Sequence, residues 1–184
     1  MIDRQIPDVT LKTRVRDDSI GGPNAFHWLD MSVREEFADK KVVVFSLPGA
    51  FTPTCSTEQC PADERLSDEF KAAGVDAVYC IAVNDAFVMY QWGKGLGLGR
   101  VKLLPAGSGH FTRRMEMLID KDHVGFGLRS WRYAMIVDDN RVTAWFEEPG
   151  INDTGADEDP YGETASEKVL EAVKQGVARV LEAA

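Results

Sequence analysis

Residues 41–60 read KVVVFSLPGAFTPTCSTEQC, and this stretch decides how the chain folds around one cysteine. Its run VVVF is short, apolar and largely β-branched, which is typical of a central strand covered on both faces. The following PADERLSDEFKAAG, residues 61–74, predicts a helix. Cys55 therefore lies where a strand passes into a helix. The first turn of a helix carries unpaired N–H groups and partial positive charge, which favour the thiolate form of a cysteine.

The neighbours of Cys55 favour a reactive thiol but leave a second interpretation open. Thr52 and Thr54 offer hydroxyl groups, and Pro53 fixes the direction of the chain at the helix entry. Active sites of open α/β sheets gather at the carboxyl ends of the strands, where this turn is expected to lie. Buried cysteines are also often inert fillers, so composition alone does not decide between the two interpretations.

Pro61 lies six residues after Cys55, inside the predicted helix. A proline at this position removes one helix hydrogen bond and crowds the carbonyl of Thr57. We expect the turn that carries Cys55 to open locally at this weak point, which would let a second thiol reach an oxidised sulfur. A simple kink in the helix is the alternative.

Composition and charge narrow the class of protein. The chain has 184 residues, 44% of them hydrophobic, and three cysteines, which predicts one domain over residues 1–184 with ordinary reduced thiols. A net charge of −9 without a basic run argues against nucleic acid or an anionic membrane surface as the partner. We expect neither a membrane span nor a signal peptide, and therefore a cytoplasmic protein. The three histidines have no spacing that joins them to the cysteines, so no metal is expected.

Strand and helix patterns alternate along the chain and predict an α/β fold. The last helix is predicted to begin with a T-x-x-E capping box formed by Thr164 and Glu167. The predicted strands are residues 9–17, 41–47, 75–84, 100–107 and a hairpin over 133–148; the predicted helices are 61–74, 85–97, 109–119 and a last helix whose apolar face comprises Val169, Leu170, Val173, Val177, Val180 and Leu181. These elements predict a layered α/β fold in which helices flank a mixed central sheet.

The segment PGAFTPTCS, residues 48–56, resembles the active-site signature P-x-x-x-T-x-x-C of the peroxiredoxins, and in this longer form their type-five, atypical group. AVNDAFVMYQWGK at 82–94 and GLRSWRYAMIVDD at 127–139 are similar to two further segments of that group. The resemblance covers nearly the whole chain. It implies a thioredoxin-like fold and a peroxidase that reduces hydrogen peroxide and organic hydroperoxides without a bound cofactor. It also implies a homodimer, with Phe51 and Phe87 as candidate contacts.

The same resemblance implies a role for four residues. Cys55 matches the peroxidatic cysteine, and Thr52 matches the threonine whose hydroxyl orients the peroxide. Pro48 matches the proline that shields the pocket from water. Arg129 matches the arginine that holds the thiolate and polarises the peroxide oxygens. Arg132 is expected to form a structural ion pair at the start of a strand instead.

The recycling step depends on the other thiols. Two-cysteine members of the type-five group carry a late resolving cysteine, whereas no cysteine follows Cys80 here, and Gln59 stands where the family often has histidine. Cys60 lies about 140° around an α-helix from Cys55, and Cys80 lies in an apolar run, so both are expected to be structural. The leading hypothesis is a one-cysteine peroxidase that is reduced by an external thiol, glutathione, or by a separate glutaredoxin. The alternatives are a two-cysteine, thioredoxin-dependent peroxidase that uses Cys60 or Cys80, and a non-enzymatic redox sensor or chaperone.

Overall fold

The computed structural model describes residues 1–151 and 159–176. The strands in these residues are β1 (Thr10–Arg16), β2 (Phe26–Ser32), β3 (Lys41–Ser46), β4 (Ala77–Ala82), β5 (Lys102–Pro105), β6 (Leu118–Asp120), β7 (Leu128–Ser130), β8 (Tyr133–Asp138) and β9 (Arg141–Glu147). The α-helices are α1 (Val33–Phe37), α2 (Cys60–Ala72), α3 (Ala86–Leu96), α4 (His110–Arg114) and α5 (Ser166–Gln175), with a π-helical turn at Cys55–Gln59 and a 3₁₀ turn at Asp122–Val124. None of the described helices is long and apolar enough to cross a membrane.

A five-stranded sheet forms the centre of the fold, in the order β5-β4-β3-β8-β9. Strands β3, β4 and β5 run parallel, whereas β8 pairs antiparallel with β3 and β9 pairs antiparallel with β8. The predicted mixed sheet flanked by helices is therefore confirmed. The predicted first strand also forms, but it pairs with β2 in a separate two-stranded sheet. The short β6–β7 pair was not predicted as strands.

Strand β3 divides the core into two layers. Val43 and Phe45 point into a cluster that includes residues of α2, α3 and α5. Val42 and Val44 point into the opposite cluster, which includes residues of α1 and α4. All four side chains are fully buried, as expected for a parallel strand covered on both faces. The apolar run of β3 is therefore held between two packed layers. The turn that carries Cys55 starts from this fixed strand.

The start of α5 differs from the predicted capping box. The helix begins at Ser166, and its N-cap is Ala165, which has no side-chain oxygen to cap with. The hydroxyl of Thr164 instead donates to Glu148 Oε1 at 2.7 Å. The capping-box prediction is wrong because the buried carboxylate of Glu148 binds the threonine. The predicted apolar face is buried at Val169, Leu170 and Val173, whereas Val177, Val180 and Leu181 lie outside the described residues.

The loops after β3 and β4 lie side by side at the carboxyl edge of the sheet. The Asn84 side chain accepts a hydrogen bond from the backbone N–H of Ala50 at 2.9 Å, which joins the two loops. Asp85 then caps α3, because its carboxylate accepts the N–H groups of Phe87 and Val88 at 2.8 and 3.0 Å. This edge carries the cysteine turn, as the parallel strand order requires.

The Asp85 cap gives a test of this edge. Asp85→Ala should lower the free energy of unfolding by about 0.5–2 kcal/mol, because two N–H groups of the first turn lose their acceptor. Urea denaturation followed by circular dichroism measures the change. Asp85→Asn keeps a side-chain acceptor and should retain most of the stability. Equal losses in the two variants would show that the cap is not the source of the effect.

Candidate active site

The turn that carries Cys55 is wider than an α-helical turn. Helical geometry starts at Pro53, and the π-helical turn follows, in which the Cys60 N–H bonds to the carbonyl of Cys55. The α-helix resumes with Pro61 in its first turn. A π-turn marks a local departure from regular α-helical packing, and a proline removes one backbone donor. The weak point predicted at Pro61 thus coincides with the change from π- to α-geometry.

Arg132 lies directly against the cysteine sulfur. Its Nη1 is 3.5 Å from Cys55 Sγ, and the Cys55 side chain is fully buried. The same Nη1 donates to Gln59 Oε1 in the π-turn. On the opposite side, Nη2 donates to Asp159 Oδ1 at 2.6 Å and Nε donates to the Pro160 carbonyl at 3.0 Å. The guanidinium is therefore clamped between the cysteine turn and the segment before α5.

Charge explains how this guanidinium remains in the core. Arg132 is only 1% exposed. Burial by itself lowers its pKa, but the charges of Cys55 and Asp159 outweigh burial and raise the pKa above its ordinary value. Arg132 is thus a permanent cation in contact with the sulfur. A cation in this position stabilises a thiolate over a thiol.

Arg129 does not occupy the position that the sequence predicted. In the described part of the chain its Nη1 donates to the carbonyls of Val83 and Leu128, at 3.0 and 3.5 Å, and not to the sulfur. It lies beside Gly49, where an added Cβ would come within 3.4 Å of its Nε. The prediction that Arg129 rather than Arg132 contacts the thiolate is therefore wrong. The physical reason is that Arg129 lies in β7, whereas Arg132 lies past that strand and turns inward just before β8.

Thr52 and Pro48 lie on the loop that leads from β3 to Cys55. Both are buried, and Thr52 Oγ1 donates to the carbonyl of Gly49 at 2.7 Å. The loop reverses direction at Phe51, which adopts the left-handed region with φ of 64° and leaves its ring 64% exposed. Pro48 and Thr52 thus lie on the short loop that leads into the helical turn of Cys55, and the backbone carbonyl of Gly49 orients the Thr52 hydroxyl.

The other two cysteines lie in the same buried layer as Cys55. All three are free and fully buried in one hydrophobic cluster. A hydrogen bond between Cys80 and Cys60 raises the pKa of Cys80, and burial and the neighbouring Cys60, Asp63 and Cys55 raise it further. The burial of Cys60 and Cys80 was predicted, but their association was not. The angular argument for Cys60 assumed a regular α-helix, and the π-turn changes that geometry.

Among the polar residues of the site, Asp63, Asp159 and Glu148 were missed from the sequence, and Gln59 was noted only as a departure from the family pattern. Gln59 and Asp63 follow Cys55 at intervals of four residues, and both are fully buried. Asp63 accepts a hydrogen bond from Ser166 at the start of α5, and burial raises its pKa well above the usual range. Polar residues at this spacing are a signal that the sequence does offer. Asp159 and Glu148 give no such signal, because their contacts are made only in the folded chain.

Within residues 1–151 and 159–176, no group of three or more histidine, cysteine or carboxylate side chains is arranged to hold a metal ion.

The chain is similar to known proteins over most of its length. The Redoxin family model matches residues 25–163. A peroxiredoxin of Sinorhizobium fredii, y4vD, is 54% identical over 173 residues, which span 94% of this chain and 92% of the relative. Reduced Prx3 of Vibrio vulnificus in complex with H₂O₂ superposes with a TM-score of 0.81 at 34% identity, over 96% of this chain and 97% of that one. The 1-Cys peroxiredoxin of Plasmodium falciparum gives a TM-score of 0.84 at 33% identity, over 94% and 99%.

The residues matched by the family model cover most of the chain and include the cysteine loop, Arg132 and the central sheet. The mixed sheet flanked by helices is thus the thioredoxin fold that these relatives have. Peroxiredoxins need a thiol reductant to complete their reaction but use no prosthetic group. The chain therefore belongs to the Redoxin family and is a peroxiredoxin, a thiol-dependent peroxidase.

Proposed function

We propose that the protein reduces hydrogen peroxide and alkyl hydroperoxides through Cys55. The observation that carries this proposal is the contact between the buried sulfur and the buried guanidinium of Arg132. The thiolate attacks one peroxide oxygen, and an S–O bond forms as the O–O bond breaks. The electron pair leaves with the second oxygen, which takes up a proton to become water or an alcohol. Cys55 is left as a sulfenic acid.

Each neighbour of the sulfur has a role in this step. Negative charge develops on the departing oxygen, and the fixed Arg132 cation stabilises it. The Thr52 hydroxyl donates to Gly49, so its oxygen lone pairs are left to accept the O–H of the peroxide. Pro48 shields the pocket from water. Arg129 supports the loop, because it lies beside Gly49 and is anchored on Val83.

We propose that the sulfenic acid is reduced by glutathione or a separate glutaredoxin. No cysteine follows Cys80, and Cys60 and Cys80 are fully buried. A solved relative with one third of its residues identical is described as a 1-Cys peroxiredoxin. In this cycle glutathione condenses with the sulfenic acid, releases water, and forms a mixed disulfide on Cys55. A second thiol then displaces Cys55 as the thiolate. Free thiols of this kind fit the reducing cytoplasm.

One observation favours a two-cysteine cycle as the second candidate. All three thiols lie in one buried hydrophobic cluster, and the nearby Cys60 and Cys55 both raise the pKa of Cys80. A small movement of the π-turn could bring a second sulfur to the sulfenic acid. The disulfide would require Cα atoms about 4.4–6.8 Å apart, and thioredoxin would then be the reductant.

An exposed aromatic group near the cysteine loop supports the proposed homodimer. Phe51 is 64% exposed and Phe87 is 50% exposed, and the Trp28 ring packs edge-on against Phe87 with centroids 5.6 Å apart. Exposed aromatic residues that cluster in this way mark association surfaces. We propose that a second copy of the chain covers Phe51 and Phe87.

Cys55→Ser should abolish peroxide consumption while leaving the fold intact, because a serine hydroxyl does not supply a thiolate. Peroxide loss is measured with glutathione and glutaredoxin present, and circular dichroism checks the fold. Cys60→Ser serves as the matched control and should keep its activity. Near-normal turnover in Cys55→Ser would contradict the proposed function.

Alanine substitutions of Arg132 and Arg129 should have very different effects on the rate constant with peroxide. Arg132→Ala should lower the rate constant with peroxide by about 10²–10³, because the departing oxygen loses its fixed donor. Arg129→Ala should lower it by less than about tenfold, since its guanidinium bonds to the loops and not to the sulfur. Stopped-flow kinetics on the reduced enzymes measure both.

Arg132→Lys keeps the charge without the planar fork and should fall between the two alanine variants. It also covers the case in which the alanine variant folds poorly. If Arg129→Ala were as slow as Arg132→Ala, the role assigned to Arg132 would be lost.

The recycling proposal predicts a nearly unchanged turnover for the Cys60→Ser, Cys80→Ser double variant with glutathione and glutaredoxin. Wild-type protein treated with one equivalent of peroxide should gain the mass of one oxygen, and then form a glutathione adduct on Cys55. Intact-mass and peptide mass spectrometry read both states. A loss of two hydrogens from the oxidised protein, together with rapid turnover on thioredoxin, would instead establish the two-cysteine cycle.

A further inference from the structure

The segment just before α5 closes over the arginine that contacts the sulfur. We call residues 159–164 the strap. Arg132 donates Nη2 to Asp159 and Nε to the Pro160 carbonyl. The Tyr161 ring centroid lies 5.6 Å from its guanidinium carbon. Two of the three guanidinium nitrogens are thus held by the strap, and only Nη1 is directed at Cys55 and Gln59.

Glu148 anchors the strap next to the backbone of the arginine. Its side chain is 2% exposed, and Oε1 accepts the N–H of Gly162, the N–H of Thr164 and the Thr164 hydroxyl at 2.9, 2.8 and 2.7 Å. The Glu148 N–H in turn donates to the carbonyl of Arg132 at 3.2 Å. Glu148 therefore ties the position of the strap to that of Arg132.

Asp159 and Cys55 share one guanidinium. The carboxylate oxygen is 2.6 Å from Nη2, whereas the sulfur is 3.5 Å from Nη1. Asp159 is one third exposed and adopts a left-handed backbone with φ of 51°, a conformation that surrounding contacts must hold in place. Its negative charge offsets part of the positive charge that Arg132 presents to the thiolate. Asp159 thus holds the arginine in place and moderates its charge.

The other titratable groups around the pair come from three elements. Those facing Arg132 or Cys55 are Cys60 and Asp63 from α2, Cys80 from β4, and Asp159 and Tyr161 from the strap. Burial raises the pKa of Asp63, and mainly a hydrogen bond to Cys60 raises that of Cys80. These shifts favour the neutral forms of both groups, whereas the charges that raise the pKa of Arg132 are those of Cys55 and Asp159. Asp159 is the group among these whose charge competes with the thiolate for Arg132.

We infer that Asp159 is a positioning residue of the peroxidase site, which fixes the Arg132 fork and sets how strongly it favours the Cys55 thiolate. This inference rests on the proposed function, because it assigns Arg132 to the peroxide-reducing step. It predicts two separable effects. The carboxylate charge controls the pH at which Cys55 becomes reactive, and the side-chain acceptor controls the geometry of the arginine during catalysis.

Two variants separate these effects. Asp159→Asn keeps an acceptor for Nη2 but loses the charge, so the midpoint pH of Cys55 alkylation should fall by about half a unit, with the peroxide rate above that midpoint within about twofold of wild type. Asp159→Ala also loses the acceptor, and its rate above the midpoint should fall by about tenfold, less than when the arginine itself is removed. Glu163→Ala is the matched control, because Glu163 lies in the strap and pairs with Lys168; it should change neither readout.

Alkylation by iodoacetamide is followed by peptide mass spectrometry on Cys55, and the peroxide rate by stopped flow on the reduced protein. The alkylation midpoint is measurable even if the wild type consumes no peroxide, so failure of the proposed function is seen separately. An unchanged or raised midpoint in Asp159→Asn would overturn the inference. It would also be overturned if Glu163→Ala reproduced the effects of Asp159→Ala, since loosening of the strap would then be sufficient.

Discussion

The burial of one guanidinium is the constraint on which the rest of the site depends. Arg132 is almost completely enclosed, and an enclosed cation is tolerated only when its charge and its donors are matched. Its partners come from two places in the chain: the π-turn supplies Cys55 and Gln59, and the strap supplies Asp159 and Pro160. Arg132 is more than seventy residues away in sequence from the cysteine turn that it contacts. The arginine therefore organises the tertiary structure and also presents positive charge to the sulfur.

The π-turn gives this site a means of opening. The sulfur is fully buried, so a reductant as large as glutathione reaches it only if the turn moves. The backbone changes from π- to α-geometry at Pro61, where one donor is missing. Because Pro61 lacks a donor, one backbone hydrogen bond fewer has to break if the turn opens, while α2 beyond this point packs against α5. Local opening is one way in which segments expose reactive groups.

Local patterns in the sequence were sufficient for the sheet and for half of the site. The apolar run of β3 and the hairpin after Trp131 predicted strands correctly, because their side-chain patterns report burial directly. Pro48, Thr52 and Cys55 lie on one loop and were found together. The two arginines are only three residues apart, and a strand end falls between them, so spacing could not reveal which one turns inward.

Long-range polar contacts account for the remaining differences from prediction. Thr164 looked like a helix cap until Glu148, sixteen residues earlier, was seen to accept its hydroxyl. Asp63 and Ser166 are 103 residues apart and meet inside the core. Such pairs depend on how α5 packs on α2, which no local pattern encodes. Asp159 and Pro160, which accept hydrogen bonds from Arg132, were missed for this reason.

The same buried layer holds three thiols, and charge explains why only one of them is suited to react. Ionising Cys80 is opposed by its hydrogen bond to Cys60, by burial and by neighbouring negative charge. Cys55 differs because the Arg132 guanidinium touches its sulfur. Burial raises the pKa of the neighbouring Asp63 and so favours its neutral form, whereas the charges of Cys55 and Asp159 are the ones that raise the pKa of Arg132. Among the residues that the structure describes, Arg132 is the arginine enclosed in the core, and its contact with Cys55 distinguishes that cysteine from the other two buried thiols.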